Sequence, residues 1–512
     1  MITLNHYIDQ YSKERPDHLA VVSAYEEVTY GQLGNEVPVI SGYLQSLGLK
    51  SGDSICMLSR NSTSYLKLWY AAIRIGILTV PLHIRVTPEE HVEMADTAGC
   101  RFIFYSDEFR ERADEIAKKS QCITAAIYID TFCHSSFYEK NASLRTDMIC
   151  TDPDNAALLL YTSGTTGVHK GVIRTQQMLS LHARSLYEEE GFVHDDPVML
   201  TTSPFFHSAG ILSAYRMLAS GGTLVIPARL DPAKVITLIR RYHPTSMHLL
   251  PPATYERIYD SMLWEDCDLS FVSEVCLSAG KCTADNIEHI FRMFPNCMLR
   301  PSWGATETGT VTSAHIGKDA LLTSKVPVSA IIGKVMPYNE IRIVDDALCD
   351  VPDGLEGEAL VRSPVVCSRY INKKNSPEFL ENGWFRTGDI LRYHSDTGYY
   401  EFVDRMKDII KTGGENVSSL KIERAAGDYE SVKECAAVGV TDRKLGEAIG
   451  IVVVVKEGAS FHTDDFLDVC RRRLSKMEMP RYLLFLDELP RNGIGKVQKT
   501  VLRTMENSFI KL

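Results

Sequence analysis

Up to about Asp404 the chain alternates short apolar runs with stretches of helical period, a pattern that favours α/β layers on largely parallel sheets. Ser54-Ile55-Cys56-Met57-Leu58 reads as a buried strand. Ser64 to Ile75 follows as a helix with Leu66, Trp69, Ala72 and Ile73 at helical spacing, and Leu78-Thr79-Val80-Pro81-Leu82 is the next strand. Thr87-Pro88-Glu89-Glu90 has the cap, the proline and the acidic partner that start a helix. The alternation returns at Thr223–Pro227, Pro232–Tyr242 and Ser246–Leu250. From Gly333 to Glu401 the chain is rich in Gly, Pro and Asp, with short runs at Glu340–Val344 and Glu358–Val361, which suggests a small β-rich subdomain. After Lys407, Cys435–Val440 and Ile449–Val455 read as strands around a turn at Asp442–Gly446. An amphipathic helix over Asp464–Leu474 and a strand at Tyr482–Leu486 follow.

The expected fold class is therefore α/β. A large N-terminal domain of layered α/β subdomains with a small β-rich subdomain, residues 1–404, precedes a small α+β C-terminal domain, residues 405–512. The polar run Asp404-Arg405-Met406-Lys407-Asp408 marks the boundary. At roughly 150 residues per domain, a chain of 512 has room for this.

Lysine and arginine number 55 against 66 aspartates and glutamates, a net charge of −11. That balance argues against nucleic acid as a partner, while a nucleotide needs only a local site. The 13 cysteines fall singly with no Cys-x-x-Cys pair, so zinc and iron–sulfur readings drop out. Met1 to Arg15 has no apolar signal-peptide core. The longest strongly apolar run, Ala448 to Val455, is far short of the roughly 20 residues that span a bilayer. No transmembrane segment and a cytoplasmic location, with reduced thiols, are expected.

The richest chemistry lies between Leu158 and Ile173, where Thr162, Ser163, Gly164, Thr165, Thr166, Gly167 and Lys170 stand between two apolar runs. Glycines let backbone N–H groups turn toward an anion, hydroxyls add donors, and the lysine adds a point charge. It is not a Walker A loop, because His169 stands where the second glycine belongs and Gly171 follows the lysine. Composition alone fits a polar surface turn equally well. In Trp303-Gly304-Ala305-Thr306-Glu307 a ring that can stack on a base precedes a hydroxyl and a hard oxygen ligand suited to Mg²⁺. Asp389 follows a glycine turn, a common acceptor for ribose hydroxyls. Each of these also fits an ordinary turn. Lys496, after Gly493-Ile494-Gly495, would alone be read as a surface charge.

In order and spacing, these segments resemble the adenylate-forming superfamily of acyl-CoA synthetases, amino-acid adenylation domains and luciferases. Phe205-Phe206-His207, Asp404–Glu423 and the opening Val28–Leu33 belong to the same pattern, which covers essentially the whole chain. It is closest to fatty-acid or carnitine-type CoA ligases. The resemblance implies that Thr162 to Lys170 closes over the β- and γ-phosphates of ATP. Ser278, Ala279 and Gly280 would join Trp303 and Gly304 as the adenine and acyl-pocket wall. Thr306 would bond the α-phosphate, Glu307 would hold Mg²⁺, and Asp389 would bind the ribose with Arg405 nearby. His207 would gate the acid pocket. Lys496 would bridge the substrate carboxylate and the α-phosphate. Lys407 would be the hinge of a mobile C-terminal domain, whose rotation brings Gly413, Gly414 and Glu415 to a CoA channel.

The implied reaction forms an acyl adenylate with release of pyrophosphate, then transfers the acyl group to CoA with release of AMP. ATP, Mg²⁺ and coenzyme A are implied, without a tightly bound prosthetic group. The sequence departs from the common pattern at Trp303, where tyrosine is usual, at Asp404, where glycine is frequent, and at Gln176, where histidine often stands. Amino-acid adenylation domains usually carry an aspartate in the Phe-Phe-His segment to pair the substrate ammonium. Pro204 to Gly210 has none, and an unpaired buried ammonium is costly. A fatty or other simple organic acid is the first choice, with aryl and carnitine-like acids left open. An acyl carrier protein as acceptor, a non-catalytic nucleotide-binding relative and a homodimer stay as alternatives.

Overall fold

The computed structural model describes residues 3–23, 26–162, 169–187, 196–278, 280, 282–323, 328–371, 376–413, 415–443, 445–491 and 496–512. They form two compact units, Met1–Ile341 with Val361–Phe385, and Arg342–Leu360 with Arg386–Leu512.

The first unit contains two largely parallel sheets, as the alternation requires. In one, the strands Ala125–Tyr128, Cys100–Tyr105, Ser54–Leu58, Leu78–Pro81 and Ala156–Thr162 lie side by side in that order, and Lys170–Thr175 closes the edge antiparallel. In the other, Leu19–Ser23, Thr223–Ile226, Val198–Thr201, Ser246–His248, Glu274–Leu277 and Met298–Ala305 are parallel neighbours. Thr87 and Glu90 make the expected capping box, and Asp231 caps the helix Pro232–Tyr242 ahead of a proline at its first turn.

The helix expected over Ser64 to Ile75 forms at Thr63–Arg74. Every residue of it is buried, because it is covered on all sides. Its Lys67 ammonium is fully buried and neutralised by Glu26 at 2.6 Å and Glu36 at 2.9 Å.

In the second unit the long hairpin of Val432–Asp442 and Gly446–Val455 forms where the turn at Asp442–Gly446 was expected. Ile422, Ala426 and Phe466 of two helices pack on Ile449, Ile451 and Val453 of that hairpin. The antiparallel strands Phe385–His394 and Tyr399–Arg405 also belong here. About half of the β-rich segment Gly333–Glu401, assigned from sequence to residues 1–404, is thus grouped with the C-terminal residues. One reason is Asp404, whose Oδ2 accepts from Ser418 Oγ at 3.1 Å, Ser419 Oγ at 2.7 Å and Leu420 N at 3.2 Å. Among the described residues no helix is long and apolar enough to cross a membrane.

Candidate active site

In the first unit, the strands flanking the phosphate-type loop pair antiparallel, with Thr162 opposite Lys170. Ser163, Gly164, Thr165, Thr166 and Gly167 lie outside the described residues, as do Ala279 and Gly414. Lys170 Nζ donates to Glu378 Oε1 at 2.6 Å and sits 4.8 Å over the Tyr370 ring. The Tyr370 hydroxyl in turn donates to Glu307 Oε1 at 2.8 Å. Burial first, and the Glu307 carboxylate second, raise the Tyr370 pKa, so it stays a donor.

Thr306 and Glu307 lie in the turn between the strands Met298–Ala305 and Gly309–Ser313. A Cβ on Gly304 would fall 1.8 Å from the Gly309 carbonyl oxygen, so this close pairing requires glycine. The turn is held from behind by Arg174, which is fully buried. Arg174 Nη2 donates to Thr306 O at 2.6 Å and Nη1 to Val365 O at 3.0 Å. Cys367 N donates to Glu307 O at 2.9 Å. The strand after the loop and the Thr306 and Glu307 turn therefore form one rigid block.

His207 stands just ahead of the helix Ser208–Ala219, its ring 5.3 Å from His83 and 4.9 Å from Phe206. Ser208 Oγ lies 3.3 Å from Thr306 Oγ1, which brings this segment to the same turn. Trp303 is buried, Ser278 is half-buried at the end of its strand, and Gly280 and Gly304 are exposed. Glu307 fits a Mg²⁺ role, since a carboxylate bonded to one tyrosine retains capacity for a cation. No group of three or more His, Cys, Asp or Glu that could hold a metal occurs among the described residues. Arg174, Tyr370 and Glu378 were missed from sequence, because no motif marks them.

The second unit gathers Asp389, Arg405, Lys407 and Lys496. Asp389 is buried and lies opposite Arg405 in the strand pair, with Arg405 Nε 3.2 Å from Asp389 Oδ1. Asp389→Ala should weaken ATP binding by about 1.5–3 kcal/mol, the value of a charged hydrogen bond. Nucleotide titration checks it, and unaltered affinity would remove Asp389 from the ribose role. Burial of its ammonium, then Arg405 and Lys407, push the Lys496 pKa down to about 8, while Asp389 pulls it up; the residue as a whole retains an exposed surface. Arg503 Nη2 donates to Lys407 O and to Asp408 Oδ1, both at 3.1 Å. Gly413, with φ of 59°, turns the hairpin of Ile410–Thr412 and Glu415–Val417, a separate feature of this unit.

The family model described as AMP-binding enzyme matches residues 8–371, and that of the AMP-binding enzyme C-terminal domain matches residues 421–496. The chain is 30% identical to an indoleacetate–CoA ligase of Aromatoleum aromaticum over 98% of both chains. It is 28% identical to a feruloyl-CoA synthase of an Amycolatopsis species over 95% of this chain and 96% of that one. Its fold matches ATP-bound MatB from Rhodopseudomonas palustris with a TM-score of 0.86 and 26% identity, covering 99% of each.

Proposed function

The chain belongs to the AMP-binding enzyme family, and from that premise we infer that it activates a carboxylic acid with ATP and passes the acyl group to CoA. The acid's carboxylate oxygen attacks the α-phosphorus and pyrophosphate leaves. The CoA thiol then attacks the acyl carbon, its proton is lost, and AMP leaves. Two anions must be pressed together in the first half, so cationic groups placed where charge builds up carry the catalysis. Lys496 supplies one such charge at the carboxylate and α-phosphate. Thr306 donates to the α-phosphate, and Lys170 with the loop from Thr162 holds the outer phosphates. Asp389 and Arg405 hold the ribose side, and Trp303, Gly304, Ser278 and Gly280 wall the adenine and the acid. Mg²⁺, held by Glu307, would neutralise phosphate charge. Gly413 and Glu415 serve the thiol half, and Lys407 is the hinge between the halves.

The observation that carries this reading is the chain Lys170–Tyr370–Glu307, fixed from behind by Arg174. It ties a phosphate-type lysine to a metal-type carboxylate across two distant segments. The test is acid-dependent pyrophosphate release across aliphatic and aryl acids, with free CoA compared against a carrier protein as acceptor. Glu307→Gln should cut that release about 10²-fold and raise the Mg²⁺ concentration needed for half-maximal rate. An unchanged Mg²⁺ dependence would remove Glu307 as the metal ligand.

A further inference from the structure

We infer that Arg174 is a positioning residue of the adenylate-forming half, working by its positive charge as well as by the carbonyls it holds; this rests on the acid-activating reading above. Five lysines and arginines are buried among the described residues, namely Lys67, Arg74, Arg174, Arg216 and Arg300. Four of them are ion-paired. Lys67 meets Glu26 and Glu36, Arg74 meets Asp9 at 2.9 Å, and Arg216 and Arg300 share Glu274 at 3.7 and 3.2 Å. Arg174 has no such partner among the described residues. Its guanidinium donates to the Thr306 and Val365 carbonyls, and its Nε makes no hydrogen bond. A cation taken out of water without a carboxylate beside it is costly, so its presence here needs a physical reason.

Holding the hairpin around Thr306 does not require a charge. The Cys367 backbone N–H holds Glu307 O, and His182 Nε2 accepts from Thr310 N at 3.1 Å. Burial, Arg174 and Arg216 push the His182 pKa down to about 3, so that ring is a neutral acceptor. Neutral groups therefore serve the same hairpin at two other points, and a neutral amide would serve the Thr306 carbonyl as well. What arginine adds is a permanent charge. Burial works against that charge, while Cys367 and the Glu307 carboxylate favour it. Burial pushes the Cys367 thiol up to about 12, so near pH 7 it is neutral and Glu307 is the anion of the two.

The placement suits the chemistry. Alternation puts Lys170, Val172 and Arg174 on one face of the strand Lys170–Thr175. That face lies on the segment 365–370, with Lys170 over the Tyr370 ring, Val172 against Cys367 and Tyr370, and Arg174 on the Val365 carbonyl. One strand thus carries the lysine proposed for the outer phosphates and, about 13 Å further along, a buried arginine under the turn proposed to meet the α-phosphate and Mg²⁺. Negative charge grows at the α-phosphorus as the carboxylate attacks. A fixed cation close by stabilises that charge, and water cannot screen it because Arg174 is fully buried. The same cation repels Mg²⁺ at Glu307, so removing it should slow the reaction and at once ease metal binding. Loss of a mere prop would slow the reaction and weaken metal binding together.

The test is acid-dependent pyrophosphate release by the whole enzyme, with the rate and the free Mg²⁺ requirement measured at saturating ATP. Arg174→Gln keeps a donor for Thr306 and loses the charge. It should release pyrophosphate about 10²-fold more slowly and reach half-maximal rate at free Mg²⁺ lower by about 3-fold. Arg174→Lys, which keeps the charge, should regain most of the rate at the wild-type Mg²⁺ requirement. Cys367→Asp keeps both Arg174 hydrogen bonds and neutralises the cation, so it should behave like Arg174→Gln, and it decides the matter where Arg174→Gln does not fold. A wild-type rate, or a Mg²⁺ requirement unchanged or raised, in the charge-neutralised enzyme would overturn the charge role and leave Arg174 a prop. An Arg174→Lys enzyme as slow as Arg174→Gln would overturn it too. No pyrophosphate release by the wild-type enzyme with any acid is a different result, which would overturn the acid-activating reading itself.

Discussion

Lys496→Ala should lose acid-dependent pyrophosphate release by about 10²–10³-fold, the usual cost of removing a charge aimed at the transition state. The same variant, supplied with ready-made acyl adenylate and CoA, should form thioester at close to the normal rate, because that half no longer opposes two anions. The pH profile should report the same group. In the proposed role Lys496 works as a cation, and its pKa is pushed down to about 8 by burial and by Arg405 and Lys407. In the wild-type enzyme kcat/KM for adenylation should therefore fall as pH rises through about 8, and the thioester half should lack that limb. Bound phosphates favour the cation, so the matching limb in kcat should lie higher. Equal loss of both half-reactions in Lys496→Ala would make Lys496 a structural residue or a general phosphate ligand.

Lys407→Pro should produce the opposite split, sparing adenylation and slowing the thioester half by about 10²-fold, the cost of a misplaced reacting geometry. Proline fixes φ near the helical value, and Lys407 stands within the short helical turn Met406–Asp408. A turn at this point, as proposed, would break contacts within the second unit. Asp404, ahead of Lys407, accepts from Ser418, Ser419 and Leu420, which follow it. Arg503 grips the Lys407 carbonyl itself. Rapid-quench measurement of the two half-reactions decides it. A Lys407→Pro enzyme with a normal thioester rate would put the hinge elsewhere.

Much of the element order, and the segments proposed to carry the chemistry, were legible in short windows of sequence. A strand such as Ser54–Leu58 or a helix start such as Thr87 to Glu90 is set by side-chain period and by hydrogen bonds between near neighbours. Trp303 to Glu307 and Asp389 could be named because the order and spacing of such segments resemble a known family, each alone fitting an ordinary turn as well. What remained hidden joins distant parts of the chain. Arg174 supports Thr306 across 132 positions, and Lys170 meets Glu378 across 208. Lys67, which no sequence motif marks, is buried between two glutamates.

The sequence by itself determined that this chain alternates strands and helices, because side-chain period acts locally, and the order and spacing of its motifs carried the family. The tertiary structure alone decided which strands are neighbours, and so which buried charges meet. Only strand order sets Arg300 and Cys276 side by side, and only the lie of one helix brings Arg216 to Glu274. No local rule encodes such contacts, since they arise from packing elements that the chain visits far apart.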